Sequence, residues 1–292
     1  MAVRDNTASD DQEQQISRAH HDHDHDHDEI DQNALRNAIE EQEHQTNNNN
    51  DDDDDESSVS SESLQKHHIT SIDATLFTRL IPSRGLSFQL WPAAAALVNL
   101  LDRHVADPTT SPISNFLAGR PNRSLRILEL GSGTGMVGIA AAAMLGANVT
   151  VTDLPHVLSN LRFNAEQNGK VISLRGGFVS VEALRWGEVE DVEGLMVDGP
   201  FDLVLGSDVV YYEELFEPLM KTLCWLLLGG RGRGGGGSSG GVFLMAHLKR
   251  WKKESGFFRK ARKVFSVEKV HTDAPLQGAR NGVVVYSFAS KK

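Results

Sequence analysis

The sequence predicts an α/β domain with a seven-stranded, mostly parallel sheet, helices on both faces and an antiparallel strand at one edge. Three observations lead to this prediction. From residue 126 onward, nearly continuous apolar strands alternate with helical segments, which is typical of a parallel sheet covered on both faces. A glycine-rich turn leaves the first of these strands and opens an alanine-rich helix. The last two strands are close in the sequence, which favours antiparallel pairing.

The first 66 residues differ in composition from the rest of the chain. They contain 20 acidic and 4 basic residues, so their net charge is −16, whereas the whole chain of 292 residues carries −11. Runs such as HDHDHDHDE and NNNNDDDDDE have too little apolar surface to offset the entropy of ordering. We therefore expect a disordered acidic arm over residues 1–66 and one folded domain over residues 67–292, which is long enough to bury a single core.

The elements before the glycine-rich turn are short. Residues 67–77 and 85–90 have the pattern of extended segments, and a Pro- and Ser-rich loop covers residues 108–124. Between them Pro92 suits the first turn of a helix, because the missing N–H of proline needs no partner there. Further strands are predicted at residues 126–130, 148–153, 171–176, 201–210, 241–248, 265–270 and 282–288. Helices between them are predicted at residues 134–145, 157–169, 214–228 and 251–265.

The glycine run GGRGRGGGGSSGG, residues 229–241, interrupts the fifth strand–helix unit, and we expect it to be a flexible surface loop. Its two arginines are too few to predict nucleic-acid binding, which strengthens with the number of phosphates neutralised. The only cysteine, Cys224, suits a reducing compartment. No apolar run is long enough to cross a membrane, and no secretory leader is recognised. We expect a cytoplasmic protein, with the nucleus as the alternative.

The turn in L-E-L-G-S-G-T-G is the main candidate for a ligand site. Glycines at positions 131, 133 and 135 permit a tight turn and a close approach of a ligand to the backbone. Asp153 ends the next strand, 22 residues after Gly131, where a carboxylate can accept hydrogen bonds from both hydroxyls of a ribose. The sequence therefore predicts a ligand with an adenosine-like ribose at the carboxyl ends of the strands.

Two ligand classes fit this turn. Residues 133–138 match the dinucleotide pattern G-x-G-x-x-G, whereas residues 129–135 match E-x-G-x-G-x-G and put the first glycine directly after the strand. Glu129 would repel a pyrophosphate but would attract a sulfonium and an amino group. This favours S-adenosylmethionine over NAD, which leaves an NAD-dependent oxidoreductase as the weaker alternative. A purely structural alternative for Glu129 is an ion pair with Arg126.

Several motifs in a fixed order resemble one enzyme family. They are L-W-P-A-A (90–94), E-L-G-S-G-T-G-M-V-G-I, L-R-W-G (184–187) and G-S-D-V-V-Y-Y (206–212). This set resembles the protein-lysine methyltransferases of the methyltransferase-like twenty-one group, which have a Rossmann-like class I methyltransferase fold and a D-x-x-Y motif (family sixteen). The resemblance covers about residues 70–290. The acidic arm, the glycine insert and the long loop over residues 106–125 depart from the family pattern.

The resemblance implies a set of cofactor-binding residues. With Glu129 added for its charge, these are Trp91, Gly131, Ser132, Gly133, Asp153, Trp186 and Ser207. The glycine backbone would line the methionine part of the cofactor, Asp153 would hold the ribose, and the indole of Trp186 would flank the adenine. Trp91 would close the methionine end of the pocket. Without the resemblance, both tryptophans would be assigned to the core.

Asp208 and Tyr211 are the predicted catalytic residues. They follow the fourth parallel strand, at the edge where open α/β sheets bind ligands. A lysine must lose a proton before it accepts a methyl group, so we expect Asp208 to orient the incoming amine and the Tyr211 ring to shape the lysine channel. The alternative for Asp208 is to cap the following helix. His247 and Lys249 receive no role, and no Cys/His spacing predicts a metal site.

We therefore predict an S-adenosylmethionine-dependent protein-lysine N-methyltransferase. Its expected partner is a protein that presents a lysine, and we expect a monomer without membrane or nucleic-acid partners. The alternatives are methylation of a protein histidine, a small molecule or RNA, and a non-catalytic module that uses the fold for docking. Enzymes acting on RNA bases often carry an N/D-P-P-Y/F loop where this chain has SDVVYY, without proline. The intact glycine turn and Asp153 argue against a non-catalytic module.

Overall fold

The computed structural model describes residues 62–117, 124–229, 241–275 and 281–291. Most of the predicted acidic arm and of the predicted flexible glycine insert lies outside these described residues. Strand β1, Ser63–Ile69, nevertheless begins within the segment that we assigned to the arm. Residues 63–66 pair with strand β2, Ala74–Leu80, so the folded part starts earlier than the predicted boundary.

Seven further strands form the main sheet. They are β3 Arg126–Leu130, β4 Asn148–Asp153, β5 Phe178–Ala183, β6 Leu203–Ser207, β7 Val242–His247, β8 Phe265–Thr272 and β9 Val284–Ser290. Their order is β5-β4-β3-β6-β7-β9-β8. Strands β3 to β7 pair in parallel, and β9 runs antiparallel to both β7 and β8. The predicted α/β fold, with its mostly parallel sheet and antiparallel pairing at one edge, is confirmed.

The order of the strands fixes where a ligand site can form. From β3 the chain proceeds outward to β4 and β5, and it then returns to the other side of β3 to build β6 and β7. The connections after β3 and β6 therefore leave the sheet in opposite directions. A crevice opens between such connections at the carboxyl ends of the strands, which is where open α/β sheets bind ligands.

Helices cover both faces of the sheet. The described helices are α1 Pro92–Ala106, α2 Ser114–Leu117, α3 Met136–Leu145, α4 Leu158–Gln167, α5 Gly169–Leu174, α6 Val189–Leu195, α7 Phe216–Leu228 and α8 Ser255–Val264. Helices α1, α3 and α4 share one apolar cluster with the sheet, whereas α6, α7 and α8 belong to the cluster on the opposite face. The successive residues Ile127 and Leu128 of β3 belong to the two different clusters, as expected for a sheet buried on both faces.

Helix α3 begins directly after the glycine-rich turn and lies deepest in the fold. Its sequence MVGIAAAAML is buried on nearly every side, because it packs between the sheet and helix α1. A Cβ placed on Gly138 would lie only 2.4 Å from Cγ1 of Val151 on strand β4. The small residues of this helix thus allow the close approach that holds the turn against the strands.

The prediction of a strand at residues 171–176 is wrong. This segment belongs to α5, and the third strand of the parallel series is β5, which pairs in register with β4. Gly169 therefore begins a helix instead of ending one. The apolar run V-I-S-L did not distinguish a short helix from a strand. Pairing with β4 decided the outcome, because it is satisfied by residues 178–183.

The prediction of an extended segment at residues 85–90 is also wrong, since Leu86–Phe88 form a 3-10 turn. The earlier extended segment is confirmed as the β1–β2 hairpin, which docks onto α4 through amide side chains. Asn164 Oδ1 accepts from the Arg79 amide at 2.7 Å, and its Nδ2 donates to the Thr134 carbonyl at 2.9 Å. These bonds tie the hairpin to the region of the glycine-rich turn.

Replacement of Asn164 by leucine tests this docking. Asn164 is fully buried, so the substitution leaves the Arg79 amide and the Thr134 carbonyl without their partner. We expect the free energy of unfolding, measured by urea titration, to fall by about 2–4 kcal/mol. Asn148→Ala at an exposed position serves as the control and should change it by less than about 0.5 kcal/mol. Equal effects of the two substitutions would contradict the docking role.

Candidate active site

The glycine loop, residues 131–135, is held by hydrogen bonds to strand β4. The Ser132 amide donates to the Thr152 carbonyl at 2.9 Å, and the Ser132 hydroxyl accepts from the Thr152 amide at 3.0 Å. Left-handed φ angles of 58°, 55° and 79° occur at Gly131, Gly133 and Gly135. Because side chains disfavour this conformation, the loop requires glycine at these alternate positions.

Asp153 lies at the end of β4, directly beside the glycine loop. Its Oδ2 accepts from the Gly133 amide at 2.7 Å, and its Oδ1 accepts from the Leu154 amide at 2.7 Å. The side chain is almost buried, and this burial raises the pKa of the carboxyl above its ordinary value. The structure thus brings this residue to the loop, and two backbone amides fix the orientation of its carboxyl group.

Glu129 lies beneath the loop. Its carboxyl is buried and accepts a hydrogen bond from the Gly138 amide, in the first turn of α3, at 3.0 Å. Burial raises its pKa to about 8, although the bond from Gly138 opposes this shift. The alternative ion pair with Arg126 is wrong, because the Arg126 guanidinium donates to backbone carbonyls, including that of Gly199 at 2.8 Å. The predicted contact of Glu129 with a cofactor stays a prediction.

Trp186 packs on the glycine loop. A Cβ placed on Gly131 would lie 2.9 Å from Cζ2 of Trp186, so the indole occupies the space that a side chain at this position would need. Trp186 follows β5 and is only partly buried. The Gly187 amide donates to the Thr222 hydroxyl at 2.9 Å and ties this turn to helix α7. The indole therefore packs against the glycine loop and also lies at the edge of the apolar core.

Trp91 belongs to a segment that covers the loop from the other side. Its indole Nε1 donates to the Leu86 carbonyl at 2.9 Å, directly before helix α1 begins. A Cβ placed on Gly133 would lie 3.1 Å from the carbonyl oxygen of Ser87. The contact of Ser87 with the loop was not predicted, because an extended segment was expected where the 3-10 turn Leu86–Phe88 lies.

Ser207 and Tyr211 approach the loop from the neighbouring strand. Ser207 is partly buried and ends β6. Burial raises the pKa of the Tyr211 phenol, and the charge of Asp153 raises it further, so these two side chains are electrostatic neighbours. The rings of Tyr211 and Tyr212 lie 4.8 Å apart between centroids. A Cβ placed on Gly131 would lie 3.2 Å from Cγ1 of Val209, so the turn that carries Asp208 and Tyr211 lies beside the glycine loop.

Asp208 has an unusual backbone conformation, and its carboxylate accepts hydrogen bonds from two partners. Its φ of 51° is left-handed, which is uncommon for a residue other than glycine and frequent at functional sites. Its Oδ1 accepts from the Leu248 amide at 2.9 Å, and its Oδ2 accepts from Nη2 of Arg250 at 2.9 Å. The alternative helix-cap role is wrong, because α7 starts at Phe216 and has no side-chain cap.

The segment after β7 supplies residues that the sequence analysis missed. Arg250 pairs with Asp208, and Glu254 is fully buried beside His247, whose Nε2 lies 3.1 Å from Glu254 Oε2. His247 is thus a buried residue with a partner, and Lys249 is exposed. The run K-R-W-K-K contains no pattern that would single out one of its cations. Only the contact with Asp208 identifies Arg250.

Within the described ranges, no group of three or more His, Cys, Asp or Glu side chains could hold a metal ion. Of the helices described above, none combines the length and the apolar character that a membrane span requires.

Comparison with known proteins identifies the family. A family model described as lysine methyltransferase matches residues 80–264. The chain belongs to the lysine methyltransferase family. It is 35% identical over 218 residues to the Danio rerio protein N-lysine methyltransferase METTL21A, covering 73% of this chain and 86% of that protein. It is 32% identical over 193 residues to the Mus musculus EEF1A lysine methyltransferase 3, covering 66% of this chain and 68% of that protein.

Membership of this family confirms the predicted resemblance and the methyltransferase class of the enzyme, and it argues against the oxidoreductase alternative. Among solved structures, the T. thermophilus 16S rRNA N2 G1207 methyltransferase in complex with AdoMet and guanosine is 18% identical, with a TM-score of 0.49. The match covers 79% of this chain and 51% of that chain. This similarity is too distant to carry an argument about ligand or substrate.

Replacement of Gly131 by alanine in this methyltransferase should destabilise the loop. The new Cβ would meet Trp186 at 2.9 Å, and the φ of 58° disfavours any side chain. We expect the free energy of unfolding from urea titration to fall by about 1–3 kcal/mol. The matched control is Gly194→Ala in helix α6, where nothing lies within 4 Å and alanine should be neutral or stabilising. A Gly131→Ala variant as stable as the control would refute the packing of Trp186 on the loop.

The raised pKa of Glu129 predicts a pH-dependent stability. The folded protein keeps a proton on this carboxyl up to about pH 8, whereas the unfolded chain releases it near pH 4.5. Stability contributed by this group therefore falls as the pH rises through that window, by up to about 1.4 kcal/mol per pH unit. Because glutamine does not titrate, the stability of Glu129→Gln relative to the unsubstituted protein should increase with pH.

Urea unfolding at several values between about pH 5 and pH 8 measures this difference for Glu129→Gln. Glu182→Gln, an exposed position on β5, provides the control for the same change of chemistry. A stability difference between Glu129→Gln and the unsubstituted protein that stays constant over this range would show that Glu129 is ionised in the folded protein.

Proposed function

We propose that this protein transfers a methyl group from S-adenosylmethionine to a lysine side chain of another protein. The observation that supports the proposal is the meeting of three loops at one edge of the sheet: the glycine loop, the end of β4 at Asp153 and the turn from Asp208 to Tyr211, whose Val209 lies against Gly131. A chain of the lysine methyltransferase family in which these three loops lie side by side has the parts for both donor and acceptor. The names of its relatives support a protein as the acceptor.

The donor side fits S-adenosylmethionine. Gly131 and Gly133 are partly exposed between Trp186 and Ser87, and Asp153 offers a carboxylate with lone pairs that its two backbone donors do not use. Ser132, Ser207 and the indoles of Trp91 and Trp186 complete the proposed cofactor site. The bound cofactor would supply a methyl group on a sulfonium, which the lone pair of a neutral amine can displace.

The acceptor side has to receive a lysine that is protonated in water, since its ordinary pKa is about 10.4. We propose that Asp208 accepts a hydrogen bond from the incoming amine and sets its direction of attack. The partly buried ring of Tyr211 would line the lysine channel, where an aromatic face favours contact with an amine cation. Positioning and electrostatics, instead of a covalent intermediate, would then account for the rate.

We also propose that the enzyme acts as a monomer on a protein in the cytoplasm, with the nucleus as the alternative compartment. The lone Cys224 is consistent with a reducing environment. The family match favours lysine over the histidine, small-molecule and RNA acceptors considered from the sequence. It also favours an active enzyme over a docking module.

The direct test incubates the full-length protein with cell extract and isotope-labelled S-adenosylmethionine, followed by mass spectrometry of the labelled proteins. We expect label on lysine side chains of a protein in the extract. Label found solely on histidine or on nucleic acid would overturn the choice of acceptor. Failure of the pure protein to bind S-adenosylmethionine in calorimetry would overturn the enzymatic proposal itself.

Substitutions on the acceptor side make the proposal more specific. Asp208→Asn keeps the shape of the side chain but removes its charge, so we expect kcat on the identified lysine to fall about 100-fold or more. Tyr211→Phe keeps the ring and should stay within about threefold of the unsubstituted enzyme, whereas Tyr211→Ala should lose at least about tenfold. These rates are measured with labelled S-adenosylmethionine, whose affinity should change little in each variant.

The control for these variants is Tyr212→Ala, which removes an exposed ring from the same turn. Normal methyl transfer by Asp208→Asn, with unchanged cofactor affinity, would remove Asp208 from the proposed mechanism. Equal losses in Tyr211→Phe and Tyr211→Ala would instead assign the role of Tyr211 to its hydroxyl.

A further inference from the structure

The anchor segment, residues 247–254, joins β7 to α8 and contacts two residues of the proposed site, Asp208 and Trp91. Nη2 of Arg250 donates to Oδ2 of Asp208 at 2.9 Å. The same guanidinium lies 5.2 Å from the ring centroid of Trp91, which precedes helix α1. Arg250 therefore contacts both Asp208, which follows β6, and Trp91, which precedes α1.

The backbone of the anchor segment is itself fixed by a buried carboxylate. Glu254 is 0% exposed, accepts from the Arg250 amide at 3.2 Å and lies 3.1 Å from Nε2 of His247. The Leu248 amide donates to Oδ1 of Asp208 at 2.9 Å. The guanidinium is thus presented to Asp208 from a backbone with little freedom to move, which is what precise positioning requires.

Arg250 also sets the charge around Asp208. The side chains of the pair are 15% and 5% exposed, so solvent screens their interaction weakly. Nδ1 of His247 lies 3.9 Å from Oδ1 of Asp208 and has no hydrogen-bond partner among the described residues. A second carboxylate, Glu254, is linked to the same cluster through His247 and the Arg250 amide. Of the side chains in this cluster, the guanidinium of Arg250 is the one that is always positively charged.

This charge matters for a lysine acceptor. An isolated carboxylate attracts the ammonium form of lysine and so opposes the loss of the proton that must precede methyl transfer. A carboxylate that is paired with a guanidinium exerts much less of this attraction. Its remaining lone pairs can still accept a hydrogen bond from the neutral amine.

We propose that Arg250 is a positioning residue for the acceptor lysine, which orients and neutralises Asp208 and holds Trp91 beside it. This inference rests on the proposed lysine methylation. The lysine ammonium releases a proton to solvent water, and the amine lone pair then forms the new N–C bond. The S–C bond of the donor breaks as that bond forms, and its electron pair stays on sulfur. Arg250 favours the loss of the proton from lysine, because it neutralises the charge of Asp208.

The test compares Arg250→Met, which removes the charge, with Arg250→Lys, which keeps the charge but not the planar fork. The probe is a peptide that spans the lysine identified in the extract experiment, and kcat and KM are measured over a range of pH with the full-length protein. Arg262→Met is the matched control, because Arg262 is an exposed residue of α8. Calorimetry with S-adenosylmethionine monitors the donor side.

For Arg250→Met we expect the apparent pKa of the kcat–pH profile to rise by about one unit. Its activity deficit, about tenfold or more near pH 7, should shrink as the pH increases. Arg250→Lys should keep the profile of the unsubstituted enzyme with a higher KM for the peptide. Arg262→Met should behave as the unsubstituted enzyme does. An unshifted profile in Arg250→Met, or the same shift in Arg262→Met, would overturn the inference.

The double variant Asp208→Asn with Arg250→Met covers the case in which Arg250→Met does not fold. It contains no unpaired carboxylate at position 208, so it should fold, and its profile should return to the position of the unsubstituted enzyme at a lower kcat. A profile still shifted in the double variant would also contradict the role of Arg250. Absence of lysine methylation by the unsubstituted protein would instead refute the proposed function.

Discussion

The hydrogen bonds between the glycine loop and the end of β4 are the constraint on which the rest of the site depends. Ser132 exchanges bonds with Thr152, and the Gly133 amide donates to Asp153, so loop and strand hold each other. This arrangement is possible because the parallel strands β3 and β4 end at the same edge of the sheet. Trp186 and Val209 lie against Gly131 of this loop, and Ser87 lies against Gly133.

The acceptor side is built in the same way from the next two strands. Strands β6 and β7 are parallel neighbours, so the turn at Asp208 and the segment at Arg250 emerge side by side. The left-handed backbone of Asp208 places its carboxyl where the Leu248 amide and Arg250 can reach it. A strained residue that is held by partners from another strand is typical of sites where geometry matters more than local stability.

Patterns that depend on local physics predicted the fold and the glycine loop. Strongly apolar strands such as β3 and β6, and glycines in a turn that requires left-handed backbone, are determined within a few residues. The failures, α5 and the 3-10 turn Leu86–Phe88, are short segments with little periodicity. In both cases pairing or packing with residues distant in the sequence decides the conformation. The local sequence does not show which conformation that will be.

The sequence by itself determined a parallel α/β sheet, the glycine loop and the acidic ends of two strands, because each follows from backbone sterics and apolar periodicity. Only the tertiary structure decided that Glu129 bonds to helix α3 instead of Arg126, and that Asp208 pairs with Arg250 instead of capping a helix. For Asp208 the physical reason is distance along the chain. A charge 42 residues away becomes a neighbour only when two strands align, and no local pattern records that alignment.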